Sequence, residues 1–363
     1  MADIKEILTK SELSRTDIVS LLEARDEDKT LLFEKAAEVK QKAVGNIVFF
    51  RGLIEFSNIC SKNCYYCGIR SSNPGFGRYN LADDEIVEAA RFAHLNQYAS
   101  LVLQSGELMS NVFTNRVARL LEKIHNATNN ELRITLSCGE QTRQTYQTWR
   151  NAGAHRYLLR IEASNKKLYE MLHPNDSNHS YEKRLECLYL LKETGYQTGT
   201  GVMIGLPFQT TGDLADDLLF MKNFAIDMVG MGPYIEHADT PLYKYKNRLL
   251  PLEERFQLAL KMIAVLRLLL PKINIASATA LQAIDKLGRE KALKTGANVI
   301  MPNITPGSYR NNYLLYQNKP CTDDSADDCK NCLEVRVALA NNTIGYGQWG
   351  DSAYFTEKKQ HTG

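Results

Sequence analysis

Short runs of apolar and β-branched residues alternate with longer amphipathic segments along most of this chain of 363 residues. Alternation of this kind is typical of repeated βα units around a parallel sheet. The candidate strands are residues 46–55, 100–104, 132–137, 155–161, 197–204, 228–233, 274–278 and 297–301. Helical periodicity occupies residues 83–97, 112–127, 142–151, 181–193, 211–224, 252–270 and 281–295.

Eight such units within about 250 residues predict a closed (βα)8 barrel. An open doubly wound sheet is the alternative, but no G-x-G-x-x-G turn follows the first strand. We interpret residues 1–45 as an N-terminal helical extension, 46–310 as the barrel, and 311–363 as a C-terminal segment with a Cys-containing loop region packed on the barrel. Because barrel active sites lie at the carboxyl ends of the strands, the candidate functional residues are those that follow each strand.

Charge and hydropathy narrow the range of partners. The chain has 44 Lys and Arg against 42 Asp and Glu, so no overall field favours nucleic acid or an anionic membrane. The opening MADIKEILTK carries charge where a secretion signal has an apolar core, and no apolar run reaches the roughly 20 residues that span a bilayer. We therefore expect a cytoplasmic protein whose partner is a small molecule or another protein.

Six of the eight cysteines fall into two short groups, and clustered cysteines in a reducing compartment indicate metal. The first group, Cys60, Cys64 and Cys67, has C-x3-C-x2-C spacing directly after the first strand. Iron–sulfur cubes are normally held by four thiolates, so three leave one iron open to a further ligand. Zinc or unligated thiols are the alternative, although a structural zinc site needs a fourth ligand and none stands near this loop.

The cysteine loop resembles the hallmark of the radical S-adenosylmethionine (SAM) superfamily. The resemblance implies that these three catalytic cysteines hold a 4Fe-4S cluster, that SAM chelates the open iron, and that reduction releases a 5'-deoxyadenosyl radical. It also implies cofactor-binding residues near the strand ends, namely Tyr66, Gln104, Ser105, Gly106, Glu107, Arg160, Glu162, Arg184, Met203, Met228 and Tyr309. A structural ion pair is the alternative for Arg160 and Glu162, and core packing is the alternative for the two methionines.

Polar residues at the ends of several strands are candidates for binding the substrate. We assign Ser137, Thr279, Tyr309 and Arg310 to this role. Arginine can hold a carboxylate through two parallel hydrogen bonds, and the neighbouring tyrosine can orient it. A surface position for Tyr309 and Arg310 is the alternative.

Longer stretches resemble the HydE family of FeFe-hydrogenase maturases, which is similar to biotin synthase and methylornithine synthase. These stretches are residues 54–60, 103–107, 156–160, 227–233 and 297–303. The resemblance implies a role in assembling the diiron part of the hydrogenase H-cluster, with an organometallic substrate, other maturases and a reductant protein as partners. Two alternatives stay open: a radical SAM enzyme of small-molecule biosynthesis, acting as a mutase or in sulfur insertion, and a non-enzymatic iron–sulfur carrier.

Two features bear on the details of that resemblance. The family's seventh strand tends to end in consecutive threonines, whereas this chain has Ala278-Thr279, which bears on substrate identity. The second cysteine group, Cys321, Cys329 and Cys332, resembles the accessory site of some HydE proteins and implies a second iron–sulfur cluster, 2Fe-2S or 4Fe-4S, near the surface. An empty acidic loop or a zinc site is the alternative there.

Overall fold

The computed structural model describes residues 3–75, 77–322 and 325–362; at Cys329, His361 and Thr362 it describes the backbone alone. The strands are β1 (Ile47–Phe50), β2 (Gly52–Ser57), β3 (Ser100–Ser105), β4 (Arg133–Ser137), β5 (Ala154–Leu158), β6 (Gln197–Thr200), β7 (Met203–Ile204), β8 (Met228–Val229), β9 (Gly232–Pro233), β10 (Asn274–Ile275), β11 (Val299–Ile300) and β12 (Thr343–Ile344).

The helices surround these strands. They are α1 (Ile4–Ile7), α2 (Arg15–Glu23), α3 (Asp26–Val44), α4 (Asp83–Leu95), α5 (Asn111–Ala127), α6 (Arg143–Asn151), α7 (Lys166–Leu172), α8 (Tyr181–Glu193), α9 (Thr211–Phe224), α10 (Leu252–Leu269), α11 (Thr279–Ile284), α12 (Gly288–Thr295), α13 (Gly307–Arg310), α14 (Ala326–Leu339) and α15 (Ala353–Thr362). Short 3-10 helices span Ser177–His179 and Pro241–Arg248.

The parallel strands close into a barrel. Most of its wall is one sheet in the order β2, β3, β4, β5, β6, β8 and β10. β11 completes the wall because it pairs with β1 on one side, while Val299 bridges to Ala276 just beyond β10 on the other. β1 and β2 are one strand interrupted at Arg51, β7 continues the line of β6, and β9 that of β8. All eight predicted strands are present, and the predicted (βα)8 barrel is confirmed.

One predicted helix is divided. The single helix predicted over 281–295 is wrong, because the chain forms α11 and α12 with a turn between them. The Asp285 carboxylate accepts the Leu287 N–H at 2.7 Å in that turn. This side-chain bond offers the backbone an alternative to the helical ladder, which is why Asp favours turns.

The predicted N-terminal helical extension is present, and it packs on the outside of the barrel. α2 begins at a capping box formed by Ser14 and Asp17. α2 contacts α9 and α10, and α3 contacts α10 and α12. The buried Lys40 of α3 donates hydrogen bonds to the Leu293 carbonyl of α12 and to Asn342 near β12, so the extension, the barrel and the C-terminal segment are joined there.

The C-terminal segment covers the amino ends of the barrel strands. Arg51 and Asn274 donate to the Gly350 carbonyl at 3.1 and 2.9 Å, and buried Arg156 pairs with Asp351. With that end covered, the carboxyl ends of the strands form the open mouth. The Cys-containing region follows the barrel as predicted, but Cys329 and Cys332 lie on α14. None of the described helices is both long and apolar enough to cross a membrane.

Candidate functional site

The cysteine loop leaves β2 at the mouth and packs against the end of β3. The Glu107 N–H lies 3.3 Å from the Cys60 Sγ, and the Lys62 N–H lies 3.4 Å from it. A Cβ at Gly106 would come within 2.3 Å of the Ile59 carbonyl oxygen, so only glycine allows the loop this close to the strand end.

The three thiols of this loop lie near one another, with Cys64 buried and Cys60 and Cys67 half-buried. Burial, with a smaller contribution from the neighbouring Cys60 thiol, raises the pKa of Cys64 to about 12 even though the charge of Arg184 lowers it. Burial raises the pKa of Cys67 well above its usual value, with added contributions from the other two thiols. A thiolate at any of these positions would therefore need nearby positive charge to stabilise it.

Two carboxylates and two cations form a buried network beside the cysteine loop. Lys62 Nζ lies 3.0 Å from Glu107 Oε1 and 2.9 Å from Glu140 Oε2. Arg184 Nε lies 2.8 Å from Glu140 Oε1, and its Nη2 lies 3.5 Å from Glu107 Oε2. Burial raises the pKa of Glu107, and the neighbouring Glu140 carboxylate also raises it. The positive charges of Arg184 and Lys62 lower the pKa of Glu107. At Gly139, with φ +76°, a Cβ would fall 2.0 Å from Glu107 Cγ, so this glycine leaves room for the carboxylate.

A second ion pair stands on the neighbouring wall of the mouth. Arg160 Nη2 lies 3.1 Å from Glu162 Oε2 and donates to the Val202 carbonyl at 2.9 Å. Glu162 has φ +65°, an unusual conformation for a residue with a side chain. Burial raises the pKa of Glu162, whereas Arg160 and Arg184 both lower it, so Arg184 faces both ion pairs.

An apolar wall lies beside these charges. Tyr66 packs on a cluster that contains Met203, Leu172 and Tyr234. The Tyr66 hydroxyl lies 3.4 Å from His173 Nε2, and the two rings meet edge to face at 5.4 Å. Of the predicted cofactor residues, the structure thus gathers Tyr66, Glu107, Arg160, Glu162, Arg184 and Met203 at the mouth.

The polar residues that end β3 and β4 also reach the mouth. Gln104 and Ser137 stand opposite each other in the sheet. Gln104 Nε2 donates to the Tyr313 hydroxyl at 3.2 Å, whereas the Ser105 hydroxyl bonds the neighbouring Gly106 carbonyl. Gln104 and Ser137 are therefore neighbours, and Gln104 contacts the C-terminal segment, while Ser105 forms a hydrogen bond within its own turn.

Three predicted site residues lie elsewhere. Met228 is inside the barrel near its closed end, where Arg51 Nη1 lies 3.3 Å from its sulfur. The Tyr309 hydroxyl faces Glu85 of α4 at 3.2 Å. The buried Arg310 donates to the backbone carbonyls of residues 303, 305 and 321. The structure does not bring Met228 or Tyr309 to the other cofactor residues, and Arg310 is engaged in holding the end of the eighth strand.

The structure places the predicted Thr279 beside buried polar groups that the sequence patterns did not single out. Thr279 accepts a hydrogen bond from Arg289 Nη2 at 3.0 Å, but the buried Arg289 Nε and Nη1 have no partner among the described residues. The Tyr316 hydroxyl and Gln282 Oε1 are also buried without a described partner. Burial raises the pKa of Tyr316, while Arg289 and Arg160 lie close enough to lower it. Arg289 lies within a helical pattern and carries no local signal that distinguishes it from a surface arginine.

A buried ion pair ties the C-terminal segment to the first strand. Lys319 Nζ lies 2.5 Å from Glu55 Oε1, and Asn303 donates to the other carboxylate oxygen at 3.2 Å. Lys319 also donates to the Tyr313 carbonyl at 3.0 Å. The chain after the barrel therefore returns over the mouth and forms part of its rim.

The second cysteine group is divided between two environments. Cys321 is half-buried beside Gln282, whose Nε2 lies 3.9 Å from its sulfur. Cys332 is exposed on α14, and Arg336 Nε donates to its sulfur at 3.2 Å. The side chain of Cys329 lies outside the described residues, so the predicted ligand set of three is described in part.

The thiols of the first group suit a cluster better than a single ion. Among the residues that the structure describes, no three His, Cys, Asp or Glu side chains converge on one metal ion. In a cube each thiolate binds its own iron, so the sulfurs stand apart around the cluster. Thiols that are near enough to shift one another's pKa, on one loop beside Lys62 and Arg184, fit that requirement.

Comparisons with known proteins place the chain in a family. The family profile described as the radical SAM superfamily matches residues 54–221, which include the cysteine loop, Glu107, Arg160 and Glu162. The [FeFe] hydrogenase maturase subunit HydE of Thermotoga maritima is 44% identical over 352 residues, which cover 96% of each chain. The chain belongs to the HydE family of radical SAM enzymes. This superfamily uses a 4Fe-4S cluster and SAM, and the chain is a radical SAM enzyme.

More distant relatives share the fold of this HydE family member. The 3-methylornithine synthase of Methanosarcina acetivorans is 28% identical over 298 residues, which cover 82% of this chain and 81% of that protein. A crystal structure of methylornithine synthase matches with a TM-score of 0.78 at 23% identity, over 95% of this chain and 97% of the other. The maturase HydG from Carboxydothermus hydrogenoformans matches with a TM-score of 0.75 at 21% identity, over 94% and 79%. At these identities the solved structures show the fold alone.

Proposed function

We propose that this chain is a HydE-type maturase, which uses radical SAM chemistry in assembling the diiron part of the FeFe-hydrogenase H-cluster. The observation that carries the proposal is the 44% identity to the Thermotoga maritima maturase along nearly the whole length of both chains. No observation favours mutase or sulfur-insertion chemistry to the same degree, since the methylornithine synthase structure matches at 23% identity.

We assign the cluster to Cys60, Cys64 and Cys67. When bound together with SAM, the cluster supplies one electron to the sulfonium and so starts radical chemistry. Burial opposes ionisation of these thiols, and the protein offsets it with the positive charge of Lys62 at Cys60, with that of Arg184 at Cys64 and with amide donors to the Cys60 sulfur. The covered end of the barrel and the returning C-terminal segment limit the access of water to the mouth.

The charges of the mouth match the charges of SAM. Glu107 offers a carboxylate to the ammonium group, and Arg184 and Arg160 offer donors to the carboxylate. Tyr66 and Met203 offer an apolar surface for the adenine ring. Because the network beside the cysteine loop contains two cations and two carboxylates, it can accept a zwitterion without leaving net buried charge.

We assign the substrate to the pocket around Arg289, Thr279 and Tyr316, with Gln104 and Ser137 on the opposite wall. The unpartnered nitrogens of Arg289 suit an anionic group, and the Tyr316 hydroxyl can donate beside it. The organometallic substrate of the HydE family carries a cysteine ligand, and its carboxylate fits this set of donors.

We also propose the domain bounds, the site of a second cluster, the cellular location and the partners. The domains are an N-terminal extension of residues 1–45, a barrel of 46–310 and a C-terminal segment of 311–363. Cys321, Cys329 and Cys332 are the site of a second iron–sulfur cluster, away from the SAM site. We place the protein in the cytoplasm, where other hydrogenase maturases and a reductant protein are its partners.

Two measurements test the proposal. The anaerobically reconstituted and reduced protein should release 5'-deoxyadenosine from SAM, and Cys64→Ala should release none. In a cell-free assembly with the other maturases, the same protein should activate an inactive FeFe-hydrogenase. SAM cleavage without hydrogenase activation, together with turnover of an organic substrate, would favour the biosynthetic alternative. A loaded cluster that leaves SAM intact would favour the iron–sulfur carrier.

A further inference from the structure

Residues 172–179, which run from the last residue of α7 to the end of the following 3-10 helix, hydrogen-bond to the cysteine loop. Within this segment, the Leu172 carbonyl accepts the Tyr65 N–H at 2.9 Å. At its other end, the His179 Nε2 accepts the Asn63 N–H at 2.9 Å. These bonds fix the backbone on both sides of Cys64. The segment therefore helps to set the backbone position of Cys64.

His179 makes its bond in one tautomer. Its Nδ1 lies 2.6 Å from Asp176 Oδ1, and the imidazole is almost fully buried. Because Nε2 accepts a hydrogen bond from a backbone donor, the ring proton must be on Nδ1, where it is donated to Asp176. The hydrogen bond from His179 lowers the pKa of Asp176, so its carboxylate stays ionised.

Asp176 also orders the turn that carries the histidine. Its Oδ1 accepts the Asn178 N–H at 2.9 Å and so begins the 3-10 helix Ser177–His179. The Asn178 carbonyl in turn accepts from Lys62 Nζ, which belongs to the cysteine loop and to the buried charge network. Asp176 thus acts on the loop through both the histidine and the turn, although its own side chain is half-exposed.

We propose that His179, oriented by Asp176, is a positioning residue for the cluster-binding loop. It touches no thiol itself. By holding the Asn63 amide, it sets the backbone between Cys60 and Cys64 and so the separation at which their sulfurs meet a cluster. The proposal rests on the cluster site assigned under the proposed function and is independent of the maturase role. Outer partners of this kind, when removed, typically cost about 10- to 100-fold in metal affinity or activity.

The test compares variants of the full-length protein, each reconstituted anaerobically. His179→Phe keeps an aromatic ring but removes the acceptor, whereas His179→Gln restores an acceptor oxygen at a similar reach. Asp176→Ala removes the orienting carboxylate from a half-exposed position, and Ser177→Ala is the matched control on an exposed residue of the same turn. The readouts are the rate at which a chelator removes iron, the change in the electron paramagnetic resonance spectrum of the reduced cluster on adding SAM, and KM and kcat for SAM cleavage.

We expect His179→Phe and Asp176→Ala to lose iron about 10- to 100-fold faster and to raise the KM for SAM, with His179→Gln and Ser177→Ala near wild type. If Asp176→Ala lost iron at the wild-type rate and gave the same spectrum as the wild type, the proposal would be overturned, even if His179→Phe failed to fold. A folded His179→Gln as impaired as His179→Phe would also overturn it, because the acceptor would then be irrelevant. A wild type that loads its cluster but activates no hydrogenase would contradict the proposed function alone.

Discussion

Lys40 of α3 gives a pH dependence of stability that can be calculated from its surroundings. Its side chain is 3% exposed, and its Nζ donates to two uncharged acceptors, the Leu293 carbonyl at 2.8 Å and Asn342 Oδ1 at 2.7 Å. Burial, with a smaller contribution from the charge of Arg267, lowers the pKa of Lys40 from 10.5 to about 7. The unfolded chain restores the ordinary value, so folding is linked to loss of a proton at neutral and alkaline pH.

The sign and size of the effect follow from that difference. Below pH 7 both states carry the proton, and the folded protein bears the full cost of a buried charge. Between about pH 7 and 10 the unfolded state binds one more proton, so the free energy of unfolding rises with pH by up to about 1.4 kcal/mol per unit. From pH 7 to pH 9 the contribution of Lys40 therefore amounts to about 2 kcal/mol, because the group is half-titrated at the start.

Urea unfolding of the cluster-free protein at pH 7, 8 and 9 measures this contribution. Lys40→Met keeps most of the side-chain volume and removes the titration, so the difference between wild type and variant isolates it. Lys42→Met, at a side chain on the same helix that is 74% exposed, is the matched control and should show no such trend. A wild-type-minus-Lys40→Met difference that stays constant or falls as the pH rises would refute the reasoning.

Three further outcomes test the rim, the pocket and a predicted site residue. Lys319→Met leaves the buried Glu55 carboxylate without its cation and should lower the free energy of urea unfolding by about 3–5 kcal/mol. Adding Glu55→Gln should recover most of that loss, and a double variant no more stable than Lys319→Met would contradict the pairing. Arg289→Met should lower hydrogenase activation about 10- to 100-fold, mainly through the substrate KM, and unchanged activation would exclude it from the substrate pocket. Tyr309→Phe should keep SAM cleavage within about twofold, because its hydroxyl faces Glu85, and a large loss would return Tyr309 to the cofactor site.

Local patterns were sufficient for the barrel and for its central motif. Strand and helix periodicity are properties of neighbouring residues, so all eight strands could be predicted before any contact was known. The cysteine loop is equally local, since its three thiols lie within eight residues. Barrel topology then predicted where the site residues lie, because every residue that directly follows a strand lies at the same mouth of the barrel. Glu107, Arg160 and Glu162 were predicted on that basis together with the family resemblance, and the structure brings them together there.

The sequence by itself thus determined the fold class, the cysteine loop and which strand ends carry charge. Only the tertiary structure decided which side chains complete the site. Lys62 meets Glu140 across 78 residues and Arg184 meets Glu107 across 77, while Lys319 reaches Glu55 across 264. Tyr309 follows the last strand, as a site residue should, yet the short helix α13 directs its hydroxyl outward to Glu85. Periodicity and spacing indicate which face of its own helix or strand a residue occupies. The three-dimensional arrangement of distant segments determines which groups share a buried pocket. Burial then sets the pKa values and the pairings of those groups.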